Sequence, residues 1–265
     1  MEDGSLNNFN NGYRVYTEKY GSSPYQEGDL YLPDGKAIAV ICLLHGGFWR
    51  MPYDRQQLTP LSMDLVKRGF IVWNIEYRRT GGEGGGWPGT FDDAVVSLNH
   101  LMFLKQKYES IDLSRIIVAG HSAGGHLAIW AAGQGDKNAT GADALQIQPY
   151  AVIGLAPVLN LQRSISTREG REAVSALLGG SPDEYPQRYA VCSPIEMLPL
   201  KTRQLIIHGD CDEALPVEWT REYVDAARSA GDDITYIEIQ HGQHMDYLDI
   251  NSEAISRLRD CLLKV

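Results

Sequence analysis

The sequence has no run of eighteen apolar residues, the length a membrane-spanning helix needs. Its opening, MEDGSLNNFNNGYRVY, lacks the basic and apolar stretches of a secretory leader. Cysteine is scarce: Cys42, Cys192, Cys211 and Cys261 are scattered without a CxxC pair, and Cys42 and Cys261 lie in apolar runs where a thiol acts as a small hydrophobe. These absences point to a reducing compartment and a cytoplasmic location. Positive charge is also short. With 24 Lys and Arg against 34 Asp and Glu, the net charge of −10 argues against nucleic acid or an anionic membrane as partner and leaves small molecules as the expected ligands. No internal repeat or low-complexity tract breaks the chain, and GGEGGGW (81–87) reads as a flexible loop.

What is present is apolar material in a regular order. Of the 265 residues 43% are hydrophobic, ample for one α/β domain spanning 1–265. Two Tyr-rich segments, 13–21 and 27–33, look like paired antiparallel strands. After them come nearly continuous apolar runs at 37–45, 70–77, 115–121, 150–157, 203–209 and 233–240, as expected of strands buried on both faces of a parallel sheet. Helical patterns separate the runs. Over 90–107 Phe91, Ala94, Val95, Leu98, Leu101 and Met102 recur at helical spacing, with Thr90 and Asp93 offered as an N-terminal cap. A last helix is expected over about 247–264. Alternation of this kind predicts a doubly wound α/β sheet with its ligand site at the carboxyl ends of the strands. The connection 158–202 is long enough to be a small lid or substrate wall, or packing decoration.

The reactive residues fall at that edge. GHSAG (120–124) fits GxSxG, in which a strand turns sharply into a helix and exposes a serine hydroxyl, here Ser122. A serine hydroxyl is a poor nucleophile at neutral pH and needs a base, which in turn needs an orienting carboxylate. Of seven histidines, His100 and His126 lie in helices, His121 adjoins the serine, and His45 and His208 read as hydrogen-bonding struts. In QHGQHMDY, His241 continues a strand whereas His244 lies in the loop beyond it, so His244 is the expected base. HGDCDEALP (208–216) supplies the acid: Asp212 first, Asp210 as runner-up, Glu213 third. A zinc site built from His241, His244 and these carboxylates is the competing reading, but it leaves the serine turn without a purpose. LLHGGFWR (43–50) offers amide donors for an oxyanion, from Gly47 or Phe48 together with Ala123. Phe48, Trp49 and Trp87 lie in loops that either border a substrate pocket or pin those loops to the body.

Taken together and in order, HGGFW, EYRR, GHSAGGHLA, HGDCDEALP and GQHMDY resemble the α/β-hydrolase superfamily, within it the esterase and kynurenine-formamidase-like group with an HGGxW oxyanion motif. Phe48 stands where hormone-sensitive-lipase-like esterases carry a third glycine, which weakens the likeness to that branch. The resemblance implies the α/β-hydrolase fold, a mostly parallel sheet of about eight strands with helices on both faces. It further implies Ser122 as nucleophile, Asp212 as acid, His244 as base, Gly47, Phe48 and Ala123 around the oxyanion, and no cofactor. The expected activity is a serine hydrolase cleaving small carboxylic esters through an acyl-enzyme. The alternatives are an arylformamidase, then a hydrolase of small peptides or aminoacyl amides, and last a non-catalytic binding module. The partner expected is a small ester or amide; monomer or homodimer stays open.

Overall fold

The computed structural model describes residues 12–135 and 144–263, together with the two-residue strand Ser5–Leu6. The strands are β1 (Ser5–Leu6), β2 (Tyr13–Lys19), β3 (Glu27–Pro33), β4 (Val40–Leu44), β5 (Ile71–Ile75), β6 (Ile116–His121), β7 (Ala151–Leu155), β8 (Arg203–Gly209) and β9 (Ile234–Ile239). They form one sheet in the order β1-β2-β3-β5-β4-β6-β7-β8-β9. The pairs from β1 to β3 and the β3–β5 pair are antiparallel, and every pair from β5 onward is parallel. The helices are α1 (Thr59–Lys67), α2 (Gly89–Asn99), α3 (Leu101–Lys107), α4 (Ala123–Ala132), α5 (Leu161–Ser164), α6 (Arg168–Leu178), α7 (Pro186–Cys192), α8 (Val217–Ser229) and α9 (Glu253–Leu262). This is the α/β-hydrolase fold, with the short β1 as a ninth strand beyond the eight expected. Among the described residues no helix is long and apolar enough to cross a membrane.

The central parallel strands β4 to β8 read as apolar runs because both faces are covered. In β4, Val40, Cys42 and Leu44 join the core layer beneath α2, α4 and α8, while Ile41 and Leu43 join the layer beneath α1 and α9. Side chains alternate between faces along a strand, so two buried faces demand an apolar residue at every position. All five β4 residues are buried.

Three expectations need correction. The helical stretch over 90–107 is two helices, broken at His100, and its N-terminus has no side-chain cap. Thr90 instead donates to the Arg78 carbonyl and accepts from Gly86 N, while Asp93 takes bonds from Arg78 and Gln26. The last helix begins at Glu253, capped by Ser252, after a 3-10 turn over Asp246–Leu248. The glycine-rich stretch 81–87 is hydrogen-bonded at both ends: Gly82 N donates to Arg79 O, and Trp87 N to Leu177 O in α6. A Cβ on Gly85 would collide with the Arg79 carbonyl, so its glycine makes room for the packed backbone.

The connection 158–202 carries three helices, α5, α6 and α7, and a 3-10 turn over Pro194–Met197. Of these, α6 ends in Gly179 at φ +83, a left-handed C-cap.

Candidate active site

The turn from β6 into α4 places Ser122 at φ 54, ψ −117, a backbone conformation that costs a non-glycine residue about 1–3 kcal/mol and persists because its surroundings hold it. Its N–H donates to Leu155 O, and its carbonyl accepts from His126 N and Val158 N. Gly120 and Gly124 admit this geometry: a Cβ on Gly120 would strike the Gly124 carbonyl, and one on Gly124 would strike the carbonyls of Leu44 and His45. The turn is therefore locked against the end of β4.

Three residues separated widely in the chain meet above it. His244 Nε2 lies 3.0 Å from Ser122 Oγ, and His244 Nδ1 lies 2.7 Å from Asp212 Oδ2. A carboxylate only accepts, so the imidazole proton sits on Nδ1 and Nε2 is free to take a proton from the serine. Asp212 is engaged on every side. Its Oδ1 accepts from Ala214 N and Leu215 N, each at 2.8 Å, and its Oδ2 also accepts from His208 Nε2 at 3.0 Å. Burial opposes its ionisation, but the hydrogen bonds from His208 and His244 outweigh it and hold the carboxyl well below the usual carboxylate range. Thr220 donates to His208 Nδ1 at 2.7 Å, fixing the tautomer that gives its other proton to Asp212. His121 Nε2 donates to the His244 carbonyl at 2.9 Å, bracing that residue from behind.

Beside the serine, Gly47, Phe48 and Trp49 all have positive φ, at 101, 58 and 54. A Cβ on Gly46 would sit 3.2 Å from Ser122 Cβ, so this loop packs directly on the nucleophile turn. The backbone N–H groups of Gly47, Phe48 and Ala123 have no hydrogen-bond acceptor among the described residues. Unpaired amide donors at a serine are what a developing oxyanion requires. Trp49 is buried and donates from Nε1 to Ala123 O at 3.0 Å, tying the loop to α4. Next to it opens a cavity of about 440 Å³ whose walls include Phe48, Trp49, Val158, Val174, Leu215 and Trp219. Trp49 thus both pins its loop and borders the cavity. Trp87 is not among the residues lining this cavity; it packs edge-on against Phe91 at 5.4 Å, with Arg188 over its ring.

The BD-FAE family model matches residues 29–226, which include Ser122 and Asp212. The chain belongs to the BD-FAE family. This BD-FAE chain is 27% identical over 237 residues to the isoprenylcysteine alpha-carbonyl methylesterase ICME of Arabidopsis thaliana, covering 80% of itself and 52% of that protein. It is 28% identical to a kynurenine formamidase of Danio rerio over 113 residues, 41% of this chain and 35% of the other. It therefore spans about half or less of these relatives. Among solved structures, a truncated carbohydrate esterase from gut microbiota superimposes with a TM-score of 0.81 at 23% identity, covering 96% of this chain and 97% of that one. At that identity the likeness is one of fold.

The other sequence candidates find different places. Asp210 accepts from His241 N. Glu213 lines the cavity. Among the described residues the one metal-capable grouping, Asp210, Cys211 and His241, lies at the surface and includes neither Asp212 nor His244, which are turned to Ser122. His126 is packed as expected, with Nε2 2.8 Å from Cys192 O.

Unforeseen in the sequence is a buried ion network under the loop that follows β4. Glu76, just after β5, sits 2.9 Å from His45 Nε2, accepts from Arg55 N and Tyr77 N, and lies 3.4 Å from Arg79. Arg79 in turn donates to Tyr53 O, and Tyr77 OH to His45 O. The available signal was the Glu-Tyr-Arg-Arg run directly after a buried strand, since charges there are retained only when paired.

Two buried imidazoles set the acid stability. Burial pushes His121 down to about 3, the neighbouring His244 adding to the effect, and pushes His126 down to about 4 against the opposing hydrogen bond to Cys192 O. Both stay neutral in the fold but take up protons when unfolded, near their ordinary value of 6.5. The unfolded chain thus binds more protons below pH 6.5, so stability falls as pH drops from there towards 4, by up to about 1.4 kcal/mol per pH unit for each group. Urea unfolding from pH 7 to 4.5 should show this slope. His126→Gln should shed about one proton's share of it, and an unchanged slope would count against the assignment.

Proposed function

We propose that the protein is a serine hydrolase that cleaves small carboxylic esters through an acyl-enzyme. The observation that carries this reading is the hydrogen-bonded line from Asp212 through His244 to Ser122, at 2.7 and 3.0 Å, beside unpaired backbone N–H groups. Ser122 Oγ attacks the ester carbonyl carbon while His244 Nε2 takes the hydroxyl proton. Asp212 stabilises the resulting imidazolium, and the N–H groups of Gly47, Phe48 and Ala123 receive the oxyanion. Collapse of the tetrahedral intermediate breaks the bond to the alcohol, which leaves with the proton from His244. Water then attacks the acyl-serine with His244 again as base, releasing the acid and restoring Ser122. As written, the cycle needs protein groups and water alone. The methylesterase relative supports the ester reading. The scattered cysteines, none in a CxxC pair, fit a reducing, cytoplasmic setting.

The shorter match to a kynurenine formamidase supports a second reading, hydrolysis of an N-formyl aryl amide by the same groups. Relative kcat/KM on short-chain p-nitrophenyl esters and on an N-formyl aniline separates the two. The proposal expects the esters to be faster by at least about a hundredfold, roughly 2.7 kcal/mol in transition-state stabilisation. A preference for the formamide would replace it with the second reading.

A further inference from the structure

The cavity bordered by Phe48 and Trp49 is mostly apolar, yet two carboxylates line it: Glu169 from the first turn of α6, and Glu213 one residue beyond Asp212. Neither forms an ion pair among the described residues, and no lysine, arginine or histidine lines the cavity. The cations nearest in sequence bond other groups, although Arg168 also feels the charge of Glu169. Arg168 bonds Glu172 at 3.0 Å, Arg163 pairs with Glu222 at 2.9 Å, and Arg171 donates to the Ile165 carbonyl. Arg50 lies over the ring of Phe48 at 4.8 Å but is not among the lining residues. Two carboxylates with no ion-pair partner among the cavity's lining residues contribute a local negative potential that a positively charged occupant would offset. Trp219 and Phe48 add aromatic surface, which attracts ammonium groups.

Resting on the hydrolase reading above, we propose that the cavity selects esters carrying an ammonium or quaternary ammonium group, held by Glu169 and Glu213 against the aromatic wall. Both carboxylates are solvent-accessible, so the preference is salt-dependent.

The test compares choline acetate with its neutral isostere, 3,3-dimethylbutyl acetate, and with an acetate ester bearing a carboxylate. At low ionic strength kcat/KM should be about tenfold higher for the cation than for the neutral ester, mostly through KM, and lower still for the anion. The ratio should shrink about threefold in 0.5 M NaCl, where the screening length is only a few ångström. In the double variant Glu169→Gln/Glu213→Gln it should collapse towards unity. Glu109→Gln, before β6 at the amino ends of the strands, controls for net charge and should keep the ratio. Equal or faster turnover of the neutral ester at low salt, or a ratio indifferent to the double substitution, would overturn the proposal. Because that double variant could be poorly folded, choline serves as a second probe: as a competitor of p-nitrophenyl acetate on the unaltered protein, it should bind about tenfold more tightly than 3,3-dimethylbutanol. Equal inhibition would also overturn the proposal. Failure of the hydrolase reading itself looks different, since Ser122 would then resist a fluorophosphonate and no ester would turn over.

Discussion

Ser122→Ala is expected to lower kcat on a p-nitrophenyl ester by about 10⁴- to 10⁶-fold, the loss seen when the nucleophile of a linked triad is removed. The reason is geometric. Ser122 Oγ is the atom that His244 Nε2 reaches at 3.0 Å, and alanine leaves the base without a proton to take. Its stability should change by no more than about 0.5 kcal/mol, because among the described residues the hydroxyl makes no hydrogen bond other than that with His244. His244→Ala should cost a comparable factor, and the double variant should be little worse than either single one, since the groups act as a unit. Steady-state kinetics of the three variants decides the matter. Additive losses, or a loss below about tenfold in Ser122→Ala, would separate the serine from the reaction.

Gly124→Ala should destabilise the fold by about 3 kcal/mol or more and abolish activity with it. The added methyl would press against the carbonyls of Leu44 and His45, which are backbone at the end of β4 and cannot yield without parting β4 from β6. Through the same contact the Ser122 turn is packed against the loop after β4: α4 rests on the residues that lead into Gly46. Gly35→Ala is the control, since a Cβ there meets nothing within 4 Å, and it should shift the urea midpoint by no more than about 0.5 kcal/mol's worth. Similar midpoints for the two variants would show that the contact can relax.

The parallel strands were legible because burial on both faces writes itself as an unbroken apolar run: 203–209 reproduces β8 at both ends, and 115–121 differs from β6 by one residue. The serine turn was legible too, since its two glycines are demanded by backbone contacts within a few residues. The acid and base could be placed at the sheet edge by chain position, but their selection over Asp210 and His241 depends on loop geometry. The Oδ1 of Asp212 is consumed by two amides of its own loop, which turns its Oδ2 towards both His208 and His244.

What stayed hidden is long-range. Thr90 and Asp93 look like a helix cap locally, yet Asp93 is drawn to Arg78 and to Gln26, 67 residues away. Glu76 acquires its purpose only when His45, Arg55 and Arg79 converge on it from three segments. Trp87 is as aromatic and loop-borne as Trp49, and only the packing of Phe91 and Arg188 around it separates their roles.

The most direct measurement is peptide mapping by mass spectrometry after treatment with a fluorophosphonate. The account predicts one covalent phosphonyl adduct, on the peptide containing Ser122, formed in step with loss of esterase activity, absent from Ser122→Ala and much slowed in His244→Ala. An intact, unlabelled Ser122 in a protein that still hydrolyses esters, or inactivation by an adduct on another side chain, would contradict it.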